Sequence, residues 1–184
     1  MAKKLWLNNA LECLRNSLQP LPHETNEIDW KAAVSDKKER LIEHLSAFSN
    51  EPNGGCLVFG IDNAGSAVGV NSVEVEQIAN TLANLARDAL EPPMALEHAV
   101  DDFEGVPILI VHIPEQGIKP VYRRGKSIED SWIRSNGTTR KASRTEIAAL
   151  LLYSKQARWE DLPASGELSL EAACDALELK TIER

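Results

Sequence analysis

The residues best placed to do chemistry lie between His23 and Gly65. Glu24, Asp29 and Asp62 fall at or near the ends of expected strands, Lys31 sits beside the second carboxylate, and Gly54-Gly55 separates the second from the third. Convergent carboxylates bind Mg2+ or Mn2+, because these hard cations take oxygen ligands and keep several waters. A metal there would activate water or stabilise a leaving phosphate oxygen, and Lys31 would neutralise charge on the scissile phosphate. The same residues also fit plainer roles, with Asp62 starting an Asx turn and Glu24 and Asp29 as surface charges. Asp29 shares a strand face with Glu27 and Lys31 and is expected to be exposed. Glu24 reaches the same point only if the chain turns at Thr25–Asn26. Gly54-Gly55 either offers backbone amides to an anion or makes a tight turn that needs positive φ.

Other site chemistries find no support. The chain contains neither GxxxxGK[ST] nor GxGxxG, so neither familiar nucleotide loop is present. His23, His44, His98 and His112 are scattered, and only His23 neighbours one of the carboxylates. Cys13, Cys56 and Cys174 are odd in number and form no CxxC pattern, which argues against a disulfide framework and a zinc site. A reducing cytoplasm is the simplest setting.

Charge distribution supplies a second candidate site. The net charge is -8, yet the segment from Lys119 to Arg144 holds Lys119, Arg123, Arg124, Lys126, Arg134, Arg140, Lys141 and Arg144 against only Glu129 and Asp130. A basic strip on an acidic body suits contact with a polyanion on one face; a solvated strand–loop face is the alternative. Arg134, before Ser135-Asn136-Gly137, is placed to hold a phosphate from a hairpin end or to stand as an ordinary surface arginine.

These residues need elements to position them. At 184 residues, 43% hydrophobic and 26% charged, the chain has the make-up of one soluble globular domain with room for a tail. No apolar run approaches the roughly 18 residues of a membrane span, and the N-terminal stretch is too interrupted for a signal peptide. Leu7, Leu11, Leu14 and Leu18 predict a helix over 4–18, ended by Pro20 and Pro22. Residues 27–33 alternate as a half-buried strand, and 36–49 return to helical period with Ser35 or Asp36 as cap. A buried strand follows at 56–61, a short strand at 66–70, and the longest helix at 72–90, broken at Pro92-Pro93. Strands are expected at about 95–101 and 106–113, the latter apolar on both faces as a central strand is, with shorter ones at 119–124 and 130–134. Ser143 and Glu146 form a capping box that opens a helix over 144–155. The result is an α/β (α+β) fold with a mixed sheet of about five or six strands packed with helices. Residues 1–20 read as an N-terminal helix, 21–155 as the domain, and 156–184 as a linker or the start of a following region.

Five blocks in this order resemble the Schlafen AlbA-type domain over about residues 20–150. ETNEIDWKAA resembles the family's E-S-x-x-x-E-[FW]-K opening, and LSAFSNEPNGGCLVFGIDNAG its AFANTxGGxLxxGVxDxG core. VPILIVHIPEQGIKPVY resembles its apolar strand followed by Lys-Pro, WIRSNGTTRKAS its [YF]xRxGSxTxxA hairpin, and RTEIAALL its closing helix. Asp29 stands where a glutamate is usual, which shortens that carboxylate's reach. Asn63 replaces a second acidic residue after Asp62, and the SNEPNGG and Ser135-Asn136-Gly137 stretches each carry one extra residue. For bacterial members the resemblance implies a DNA-binding domain of a transcriptional regulator. For Schlafen proteins it implies an endoribonuclease acting on structured RNA through three acids and a divalent metal, here Glu24, Asp29 and Asp62 with Mg2+ or Mn2+. The expected partner is thus DNA or structured RNA, with a homo-oligomer as a further expectation; the acidic body also fits a third reading, a non-catalytic oligomerisation or interaction module. The strip residues Lys119, Arg123, Arg124, Lys126, Arg134, Arg140 and Lys141 are the expected phosphate contacts.

Overall fold

The computed structural model describes residues 4–35 and 37–154. Its centre is a four-stranded mixed sheet in the order β1-β2-β5-β4, with β1 at Ile28–Lys31, β2 at Gly55–Phe59, β4 at Glu97–Phe103 and β5 at Val106–Ile113. β1 runs parallel to β2, while β5 is antiparallel to both its neighbours. Helix α1 (Leu5–Leu18) covers one face, packing Leu7, Leu11 and Leu14 on Ile28, Trp30, Val58, Ile108 and Ile110. Helices α2 (Lys38–Asn50) and α3 (Ser72–Asp88) cover the other face, with Leu45, Phe48, Ile78 and Leu82 against Leu57, Phe59, Leu109 and Val111. Burial of both faces explains why β5 reads as a continuous apolar run.

The remaining strands leave the main sheet. β3 (Leu90–Glu91) pairs with β6 (Tyr122–Arg123), and β7 (Trp132–Ser135) pairs with β8 (Thr138–Lys141) as a hairpin. The expected single sheet of five or six strands is therefore one sheet of four beside two small ribbons. The strand expected over 66–70 reduces to one bridge between Ile61 and Ala67, because Gly60, Gly65 and Gly69 all take positive φ and turn the chain repeatedly. Helix α2 starts after Lys37, with no side-chain cap. Ser35 instead accepts the Lys37 N–H at 3.2 Å, and Asp36 lies outside the described residues. Helix α4 (Arg144–Tyr153) opens on the expected Ser143–Glu146 capping box and ends before 155. Residues 156–184, expected as a linker or the start of a following region, also lie outside the described residues. Among those described, no helix is long and apolar enough to cross a membrane.

The glycine pair acts by close approach. A Cβ on Gly55 would meet the Phe48 ring at 2.1 Å, and one on Gly54, whose φ is +73°, would meet the Ile113 carbonyl at 2.2 Å. The pair lets α2 and the end of β5 close over the start of β2, which is the turn reading rather than the anion reading.

Candidate functional site

Asp29 sits on the strand face that the period-2 pattern assigned to it, opposite Ile28 and Trp30. That face is not solvent. Helix α2 and the β7–β8 hairpin cover it, and Asp29 is 1% exposed, which corrects the expectation of a surface carboxylate. Arg134 from β7 reaches it with Nη1 at 2.9 Å from Oδ2, and the same nitrogen donates to Thr139 Oγ1 at 3.0 Å. The second terminal nitrogen donates to the carbonyls of Thr25 at 2.8 Å and Gly137 at 2.7 Å. The guanidinium lies 4.6 Å from the centroid of the Phe48 ring, a cation–π placement with the charge fully desolvated. Lys31 occupies the other oxygen of Asp29 and also donates to Glu24 Oε1 at 3.0 Å. Glu24, Asp29, Lys31 and Arg134 are thus brought into one chain of ion pairs.

His44 completes this hub from α2. Its Nδ1 lies 3.0 Å from Thr139 Oγ1 and 3.4 Å from Asp29 Oδ2. His44 Nδ1 and the Thr139 hydroxyl share one hydrogen bond, whose direction follows the imidazole tautomer. Burial pushes the His44 imidazole down to about 4, against the pull of Asp29, so it is neutral at pH 7. Burial by itself would raise the Asp29 carboxyl, but the surrounding positive charge holds it below the usual carboxylate range. At neutral pH that charge comes from Lys31 and Arg134, since His44 is uncharged there. Glu24 moves the opposite way: burial and the neighbouring Asp29 charge raise it more than Lys31 lowers it.

Asp62 does not join the hub. Its Oδ1 accepts the N–H groups of Ala64 at 2.9 Å and Ser66 at 2.8 Å, an Asx turn that closes the loop after β2. Among the described residues, no three His, Cys, Asp or Glu side chains are grouped to hold a metal ion. Mg2+ or Mn2+ at Asp29 would have to displace Lys31 or Arg134 from oxygens both already occupied by cations.

The basic strip divides into an interior and a surface part. Lys119 is 5% exposed and donates to the Asn50 carbonyl at 2.9 Å and to Glu115 at 2.8 Å. With Arg134 it is a structural cation, so neither stands at the surface as expected. The others do. Arg124 pairs with Glu91, Arg140 with Glu146, Arg144 with Glu129, and Arg123 and Lys141 flank Asp130 while lying over the Trp132 ring. Lys126, exposed in the turn after β6, has no carboxylate within ion-pair distance among the described residues. Every one of these ion pairs is at least partly exposed, so phosphate oxygens can compete for the cations.

Sequence reasoning missed His44, Thr139 and Asn50. Asn50 is 2% exposed, donates to the carbonyls of Val121 and Trp132 at 3.0 Å each, and accepts the Val121 N–H at 2.7 Å. It ties β6 and β7 to the end of α2. The available signal was polar residues at 44, 46, 49 and 50 inside an otherwise apolar helix stripe, which mark a face packed on backbone rather than on water.

A family model for Schlafen, AlbA_2 matches residues 24–143, from the hub's first carboxylate to the cap of α4. The chain belongs to the Schlafen AlbA_2 family. Among solved structures, a Corynebacterium diphtheriae protein superposes with a TM-score of 0.54 at 15% identity, covering 80% of this chain and 33% of that one. This chain thus spans about a third of that protein's length. The N-terminal domain of a RecG-related protein from Nitrosomonas europaea superposes with a TM-score of 0.50 at 24% identity, covering 73% of this chain and 92% of that domain. At these identities both show a shared AlbA_2 fold and no more. No curated protein sequence matches this chain.

Proposed function

We propose that this AlbA_2 domain binds nucleic acid, with duplex DNA as its ligand in a regulator-type protein, by phosphate contacts from Arg123, Arg124, Lys126, Arg140 and Lys141. The observation that carries the reading is the set of surface cations on β6, the turn after it and β8, the last of these on a hairpin that a buried ion-pair hub fixes to the sheet. Phosphate contacts position a protein without reading sequence, and an acidic chain needs such a local patch to meet a polyanion at all. Family membership supports the reading. So does the fold shared with a domain of a protein described as related to an ATP-dependent DNA helicase.

In this reading Glu24, Asp29 and Lys31 are not catalytic. They orient Arg134, and through it the hairpin that carries Arg140 and Lys141. The alternative is an Mg2+- or Mn2+-dependent endoribonuclease acting through Glu24, Asp29 and Asp62 with help from Lys31. The test is titration of labelled duplex DNA and structured RNA across a salt series, with Mn2+ or EDTA, beside Arg124→Glu/Lys126→Glu and Glu24→Gln. Binding that weakens with salt and collapses in the charge-reversed variant is expected, because each neutralised phosphate releases counterions. Unchanged affinity in that variant removes the reading. Mn2+-dependent RNA cleavage lost in Glu24→Gln replaces it with the nuclease.

A further inference from the structure

β4 is the outer strand of the main sheet. β5 pairs with it on one side, and among the described strands nothing pairs on the other. Its register with β5 determines which backbone groups face out. Asp102 stands opposite Pro107. Pro107 has no N–H, and its carbonyl accepts from Val70, whose segment hangs on Gly60 at the β2 side of β5. Asp102–Pro107 is therefore a pair without ladder hydrogen bonds. Antiparallel alternation gives the same status to Val100–Leu109 and His98–Val111. The N–H and C=O groups of His98, Val100 and Asp102 point away from the sheet. Among the described residues only the Asp102 N–H is met, by Asp101 Oδ1 at 2.9 Å. The three side chains share one face. His98 and Asp102 are exposed, and Val100 is 48% exposed where a partner strand would bury it.

We infer that two copies of this chain join β4 to β4 in antiparallel fashion about a twofold axis at Val100, making one sheet continuous across the dimer. A twofold contact requires a surface complementary to itself, and this strand is. With Val100 facing Val100 of the second copy, His98 falls opposite Asp102 in both directions, a donor against a carboxylate. Shifting the register one way sets Asp102 against Val100 or the two Asp102 carboxylates face to face, and shifting it the other way sets His98 against Val100 or the two imidazoles face to face, so only the Val100 register pairs His98 with Asp102. On the strand's other side Glu97 is already held by Lys4, at the cap of α1, and by Trp6 in its first turn, so its charge does not oppose the approach. Pairing exchanges the Asp101–Asp102 contact for a ladder bond from the Asp102 N–H to the His98 carbonyl of the second copy. The charges on the strand otherwise blunt the edge against unrelated strands.

The test is sedimentation equilibrium of the full chain up to about 0.5 mM, where even a sub-millimolar dimer is populated. The wild type should move from monomer to dimer mass with concentration. Val100→Pro should stay monomeric with an unchanged melting temperature, because the N–H it removes faces outward and edge strands tolerate proline. His98→Asp should also stay monomeric, and adding Asp102→His to it should restore the dimer by exchanging the two charges. A wild type that is monomeric throughout overturns the inference, as does a dimer that persists in Val100→Pro or a charge exchange that fails to restore association.

Discussion

Asp29→Ala tests what the buried hub does. Asp29 and Arg134 have side-chain exposures of 1% and 0% and meet at 2.9 Å. Removing one partner leaves the other charge buried and uncompensated, which costs about 3–5 kcal/mol. The carbonyls of Thr25 and Gly137 and the Thr139 hydroxyl still accept from Arg134, which places the loss toward the lower figure. In a domain of this size each kcal/mol moves the melting temperature by roughly 2–4 °C, so a loss of about 3 kcal/mol should lower the melting temperature of Asp29→Ala by about 6–12 °C. Asp29→Asn keeps the acceptor and loses only the charge, so it should fall between. Replacing both partners, as in Asp29→Leu/Arg134→Met, should cost less than the sum of the single changes, because no lone charge remains. Scanning calorimetry in EDTA measures all of these. A metal-ligand role for Asp29 makes the opposite forecast, since removing one of several clustered carboxylates relieves repulsion in the metal-free protein. Asp29→Ala melting at or above the wild-type temperature would refute the structural role.

Further expectations follow from the same contacts. His44 is held neutral down to about 4 in the folded state while the unfolded residue takes its proton near 6.5. Stability should therefore fall as pH drops from about 6.5 and level off near 4, by on the order of 3 kcal/mol. Urea denaturation at several pH values should show this slope flattened in His44→Gln. The depressed Asp29 carboxyl adds a loss only at lower pH, as it is protonated below its ordinary range. Asn50→Ala leaves the Trp132 carbonyl and the Val121 N–H unpaired, while the Val121 carbonyl keeps the Ser46 hydroxyl at 2.7 Å, and should lower stability by about 1–3 kcal/mol by denaturant titration. Gly137→Ala places a Cβ 2.1 Å from the Glu24 carbonyl at a φ of +75°. It should loosen the hairpin, seen as faster amide exchange in β7 and β8 and weaker nucleic-acid binding.

Much of this protein was legible from local pattern. Leucines at three- and four-residue steps placed α1, glycine-bounded apolar runs placed β2 and β5, and Ser143 with Glu146 marked the start of α4. Each signal is short-range, so the chain alone determines it, and the ordered blocks around Glu24, Gly54-Gly55 and Trp132 were enough to indicate the AlbA_2 family. What the pattern could not carry was which element covers which face. Strand alternation put Asp29 opposite Ile28 and Trp30, but whether water or Arg134 met it depended on a hairpin more than 100 residues away folding onto β1. The same long-range packing turned Lys119 and Arg134 from expected phosphate contacts into buried counter-ions, and sent Asp62 into its own turn. Charge and periodicity are properties of the sequence. Desolvation and pairing are decided only when distant segments close over one another, because the cost of burying a charge depends on the partner brought to it.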